Sequence, residues 1–102
     1  MQVTTTAFSF NRLRGSGPRS ARNEVVFTTP VSQAAAFLKG FDVSFSPRSD
    51  HHFGNLEVRV DAIIDSLAPR RVFVDVVYGL RDWSGDWDDN YEGEIFVTVI
   101  GE

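Results

Sequence analysis

Apolar and polar residues alternate with a period of two along most of this chain, the spacing of strands with one buried face. From Leu56 to Ile64 the residues Leu56, Val58, Val60, Ala62 and Ile64 share a side, and Glu57, Arg59 and Asp61 take the other. Val72, Val74, Val76, Tyr78 and Leu80 repeat the pattern, as do Ile95, Val97 and Val99. Ala35–Ser46 sets Phe37, Phe41, Val43 and Phe45 on one side with Lys39 interrupting. Val3–Phe10 and Glu24–Thr29 complete a set of six predicted strands, filled with β-branched and aromatic residues. Turn-forming clusters separate them, such as Arg14-Gly15-Ser16-Gly17-Pro18, Ser46-Pro47-Arg48-Ser49-Asp50 and Ala68-Pro69-Arg70. Ser32–Lys39 tolerates a helical turn, but Gly40 and the alternation after it favour a strand. The expectation is an all-β fold, a six-stranded antiparallel β-sandwich, with residues 1–102 forming a single domain.

Composition narrows this only in places. The 102 residues suit one core, and the absence of cysteine removes disulfides and thiolate metal sites. No apolar run approaches the roughly 20 residues of a membrane span, so none is expected. The first residues, Met1-Gln2-Val3-Thr4-Thr5-Thr6, lack the basic-then-apolar order of a secretory leader, which points to a cytoplasmic or non-classically released protein. The net charge of −4 is unevenly spread: residues 1–51 hold six of the ten basic side chains, residues 52–102 eleven of the fourteen acidic ones. The acidic half disfavours nucleic-acid binding through the whole surface. A basic N-terminal segment facing an acidic C-terminal one, within a protomer or between protomers, is the simpler expectation.

The chemistry concentrates in Leu80–Glu94, which holds both tryptophans, Tyr91 and six carboxylates. Sugar recognition needs a flat aromatic face for the C–H side of a pyranose and carboxylates or amides for its hydroxyls. Trp83, Trp87 and Tyr91 offer the first; Asp82, Asp86, Asp88, Asp89 and Asn90 offer the second. Two other readings compete: a tryptophan plugging the sandwich end while aspartates cap turns, and a metal site. Asp86, Asp88 and Asn90 fall at alternate positions like the opening of a Ca²⁺-binding helix–loop–helix. Tyr91 replaces the glycine that follows in that loop and Val97 its final glutamate, which excludes it. A looser oxygen cage from Asp82, Asp86, Asp88, Asp89 and Glu92 stays open for Ca²⁺, with Asp86, Asp88, Asp89 and Glu92 as its chief ligands. Otherwise no cofactor is expected.

Arg12, Arg14, Arg19 and Arg22, interleaved with glycine, serine and proline, suit either a phosphate or sulfate clamp or a solvated loop paired with the acidic one. Asp50-His51-His52 reads as a solvated turn, since adjacent histidines on a strand point apart and chelate one metal poorly. No nucleophile elbow is present, and a short sandwich has little room for a cleft, so an enzyme is not expected.

Several segments, in order, resemble the H-type lectin family, the snail-agglutinin and discoidin C-terminal type. They are Val25-Val26-Phe27-Thr28-Thr29-Pro30, the long stretch Ala36–Phe45, Asn55-Leu56, Val72–Tyr78, and Trp83 with Tyr91 ahead of Ile95–Val99. The resemblance spans roughly residues 24–100. It implies a six-stranded antiparallel sandwich, assembly as trimers or pairs of trimers, and binding of galactose-type sugars. The departures are specific. Glu57 stands where the family has arginine after Asn-Leu, with Arg59 two positions on along the same face. The Trp83–Tyr91 interval is about two residues longer, and Val97 or Val99 stands for a late tryptophan. A non-catalytic carbohydrate-binding, homo-oligomeric module is the resulting expectation. The alternative is a structural or protein–protein interaction module, oligomeric and Ca²⁺-stabilised, with the aromatic loop as its interface.

Overall fold

The computed structural model describes residues 1–13, 17–45, 53–83 and 91–102, with the side chains of residues 12 and 13 excepted. Six strands run through them: β1 (Gln2–Leu13), β2 (Arg19–Val26), β3 (Ala34–Phe45), β4 (Phe53–Ile64), β5 (Arg71–Asp82) and β6 (Tyr91–Gly101). All pairings are antiparallel. They form two three-stranded sheets, ordered β1-β6-β3 and β2-β5-β4. The described residues contain no helix, hence none long and apolar enough to cross a membrane.

The alternation sets which face is buried. Val72, Val74, Val76, Tyr78 and Leu80 of β5 meet Ile95, Val97 and Val99 of β6 in one core, and the two central strands supply most of its fully buried side chains. Leu56, Val58, Val60, Ala62 and Ile64 line the β4 side, half buried because β4 is an edge. β1 contributes Phe8 and Phe10, and β2 contributes Val25.

Two features of the pattern resolve differently. β2 begins at Arg19 and β6 at Tyr91, so stretches expected as loops are strand. Their outward positions carry Arg22, Glu24, Glu92 and Glu94, which mask the period of two. In β3 the register shifts between Leu38 and Gly40, making Lys39 the extra residue of a bulge. Phe37 lies opposite Thr98 on the outer face, whereas Phe41 lies opposite Ile95 on the inner one. Phe37 therefore does not share a face with Phe41, Val43 and Phe45, because one inserted residue inverts the alternation beyond it.

The two flanks of the sandwich close by different means. Between edges β1 and β2, polar side chains cross the gap: the Asn23 amide donates to Thr6 Oγ1 (2.9 Å) and to the Ala7 carbonyl (2.8 Å). Near the chain start, Gln2 Oε1 accepts from the Thr28 amide (2.9 Å) and hydroxyl (2.8 Å). Between β3 and β4 the contacts are apolar and incomplete, leaving Leu38, Phe41 and Phe53 exposed.

Candidate functional site

The strand order brings three sequence motifs to one end. β1 ends and β2 begins there, around the arginine-rich segment. β3 ends and β4 begins there, around Asp50-His51-His52. β5 ends and β6 begins there, around the Trp/Asp segment. The pairings Leu13↔Tyr91↔Phe45 and Phe53↔Asp82 fix these ends side by side. Segments far apart in sequence are thus joined to one tip of a molecule measuring 47 × 21 × 18 Å.

An aromatic floor closes the core beneath that tip. Tyr78 packs edge-on against Phe10 and Tyr91, ring centroids 5.2 Å apart in each pair, and so ties the two sheets together. The Tyr78 hydroxyl donates to the Glu92 carbonyl (2.7 Å), and the Tyr91 hydroxyl to the Gly17 carbonyl (3.0 Å). Burial pushes the Tyr78 hydroxyl well above its ordinary pKa, so it stays a donor. Arg19 lies over the floor, its guanidinium carbon 4.6 Å from the Tyr91 ring centroid and 5.3 Å from that of Phe10. Its two terminal nitrogens donate to the carbonyls of Asn11 (2.7 Å) and Tyr91 (2.8 Å).

This floor corrects two expectations. Tyr91, expected to meet a ligand with its hydroxyl, is only 1% exposed, with that hydroxyl held by Gly17. It packs the sandwich end because it begins an inward-facing row that continues to Ile95. Arg19 is likewise committed to that floor. Arg22 sits on the outer face of β2, in a two-pronged pair with Asp75 (2.7 and 3.0 Å). That pair holds the Asp75 carboxyl below its ordinary pKa and the Arg22 guanidinium above its own. Neither arginine is a free anion clamp; both join the basic half to the acidic half within one protomer.

Trp83 follows β5 directly and is 72% exposed. Its backbone is held close: a Cβ at Gly54 would collide with the Asp82 carbonyl and lie 2.6 Å from the Trp83 nitrogen, so only glycine fits. Asp82 is buried, and Phe53 opposite it is 65% exposed. Phe53 borders an apolar hollow with Phe41, Phe45 and Leu56, while Trp83, one residue beyond Asp82, is the exposed ring at the end of β5. Phe53 carries no distinguishing signal in the sequence, since it opens β4 as one more apolar strand residue.

Asp86, Trp87, Asp88, Asp89 and Asn90 lie outside the described residues, as do Arg14, Asp50, His51 and His52 and the side chain of Arg12. Arg59 lies away from the tip on the outer face of β4, exposed and paired with Glu57 (2.7 Å). Glu92, expected in a Ca²⁺ cage, is on the outer face of β6, where an open depression is lined by Ser9, Asn11, Asp42, Ser44, Glu92 and Glu94. Among the described residues no three His, Asp or Glu side chains are grouped to hold a metal ion. Tyr91–Val97 is extended strand, incompatible with the second half of a helix–loop–helix Ca²⁺ loop.

The tip can offer an aromatic stacking surface on a rigid floor, with carboxylates and hydroxyls on the adjoining sheet face. Set against family models, curated proteins and solved structures, the chain finds no match.

Proposed function

We propose that this protein is a non-catalytic carbohydrate-binding module that works as a homo-oligomer, with its ligand site at the tip where β1, β3 and β5 end and β2, β4 and β6 begin. The observation that carries the reading is the exposure of Trp83 on a backbone pinned by Gly54. A pyranose stacks on such a ring through its C–H face, and a pinned backbone spares the ordering cost that a mobile loop would incur. Asp86, Asp88, Asp89 and Asn90, in the segment joined to Trp83, supply partners for sugar hydroxyls or for a bridging Ca²⁺. Trp87 adds a second ring. The six-stranded sandwich is the architecture that the H-type lectin resemblance implies, which supports the same reading.

A glycan array probed with purified protein, with Ca²⁺ and with chelator, tests this. Binding lost in Trp83→Ala is expected, with galactose-type sugars among those bound; loss under chelator adds the metal. A folded protein silent across the array overturns it in favour of the interaction module. The same exposed ring favours that rival, since aromatic anchors centre protein interfaces. The rival requires Trp83 to become buried on assembly, which tryptophan emission and its quenching by iodide report directly.

A further inference from the structure

The outer face of the β1-β6-β3 sheet carries three consecutive rows without a charged side chain. Val3, Ile100 and Ala35 make the first, and Thr5, Thr98 and Phe37 the second. Ala7, Phe96 and Gly40 make the third. Val3 and Phe37 are 58% and 54% exposed, so this is open surface in the single chain. Lys39, the nearest charge, is the extra residue of the edge bulge. The patch ends abruptly at the next row, where Ser9, Glu94 and Asp42 stand side by side. The other sheet presents nothing comparable. Its outer rows read Arg22–Asp75–Asp61, Glu24–Phe73–Ile63 and Ser20–Val77–Arg59, with charge in every one.

We propose that this uncharged face is where two copies of the chain pack, sheet against sheet, with their strands running in opposite directions. Three physical arguments select a second copy. The face has no charge with which to recognise a partner of different composition, and pairing it with itself brings no like charges together. Its relief is self-complementary. Phe96 stands between Ala7 and Gly40, Phe37 lies one row on, and the position above Gly40 is empty space that an opposing ring can enter. The carboxylates then fix the direction. Parallel stacking would crowd Asp42, Glu92 and Glu94 of both copies together, whereas antiparallel stacking overlaps the uncharged rows and leaves the acidic ends overhanging on opposite sides.

The size of the patch sets the strength. Three strands about 4.8 Å apart, over five residues rising about 3.3 Å each, give a flat area of about 240 Å². A standard interface buries about 800 Å² per partner. The patch is well below that size, so the pair is weak, populated only at high protein concentration, and is reinforced where the sugar site meets a multivalent surface. The interface itself does not rest on the sugar-binding reading.

Sedimentation velocity across a concentration series is the test, with melting curves to show that each variant folds. A monomer–dimer equilibrium is expected, weakened at least tenfold in Thr98→Lys and Phe37→Lys and unchanged in Val77→Lys on the opposite sheet. Because the chain has no cysteine, single substitutions report the direction: a short bismaleimide, long enough to span stacked sheets about 10 Å apart where a disulfide is not, cross-links Thr98→Cys into a covalent dimer and does not cross-link Glu94→Cys. A chain that stays monomeric at millimolar concentration overturns the proposal, as does a dimer that only Val77→Lys disrupts. A trimer, or efficient cross-linking through Glu94→Cys, overturns the antiparallel pair. Dimerisation lost while glycan binding persists would leave the sugar reading standing, and the reverse result would leave the interface standing.

Discussion

The two outer faces of this sandwich arise from the same alternation and the same antiparallel pairing, yet they are built for different surroundings. On β2-β5-β4 the charges answer one another: Arg22 grips Asp75, Arg59 reaches Glu57, and Arg71 lies 3.7 Å from Glu24 and 3.8 Å from Asp65. Exposed pairs of this kind add little stability, but they keep the face wetted and soluble. On β1-β6-β3 the face divides into an uncharged half and an acidic half. Asp42 and Glu94 stand directly opposite each other there, which is mildly destabilising in an isolated sheet; Asp61 and Asp75 face each other on the other sheet too, but there Arg22 grips Asp75. The difference teaches that alternation specifies only which side of a strand is buried in the chain's own core. What the other side meets is written in the residues chosen for it.

The comparison holds only if the inner faces are equivalent, and the largest expected effect tests that. Ile95→Ala in β6 should cost about 2–5 kcal/mol, and Val74→Ala in β5 about 2 kcal/mol, since both side chains are fully buried in one core. Urea unfolding measures both. A single transition in each variant means the sheets fold as a unit; two transitions would mean that the faces differ because the sheets are separately stable.

Next in size are two glycines of the β1-β6-β3 sheet. A Cβ at Gly93 would lie 2.7 Å from the Asp42 carbonyl oxygen and 2.8 Å from Val43 Cγ1. Gly93→Ala should therefore cost about 1–3 kcal/mol as overpacking. At Gly40 nothing lies within 4 Å. Gly40→Ala should change the melting point little in either direction, and a large loss there would show that the hollow on the outer face is already filled within one chain.

The smallest effects are in pH dependence and separate the floor from the charged face. The raised Tyr78 pKa means that its neutral form stabilises the fold. That contribution is whole below its ordinary value of 10.0 and is lost as pH rises beyond it. Tyr78→Phe should flatten this alkaline loss at a cost of about 1 kcal/mol for the hydrogen bond. Asp75 has the opposite sign: its pKa is depressed by Arg22, so its contribution is present above its ordinary value of 3.8 and fades as pH falls below it. Asp75→Asn should remove that acid limb with a smaller shift than Tyr78→Phe, because the pair is in contact with solvent. Melting points from pH 2 to 11 resolve both.

Much of this was legible in the chain. Runs such as Val72–Leu80 and Leu56–Ile64 declare strands and their buried sides, because a period of two in β-branched residues has no other economical packing. Six such runs with short turns leave an antiparallel sandwich as the natural outcome, and the exposure of Trp83 agrees with its placement in an aromatic, acidic segment. Register was not legible. The bulge that sends Phe37 outward depends on β3 pairing with β6, which sets Leu38 opposite Val97, more than fifty positions along the chain. Nor was the fate of Tyr91 or Arg19, whose chemistry suits a binding surface as well as a core.

The sequence by itself determined the number of strands, the inner faces of the unbulged ones and the residues that are candidates for a site, since periodicity and composition are local properties of the chain. The tertiary structure decided which side chains share that site, which aromatic becomes floor and which becomes surface, and which outer face is left without charge. Those are matters of strand order and register, set by contacts between distant segments that no local pattern encodes.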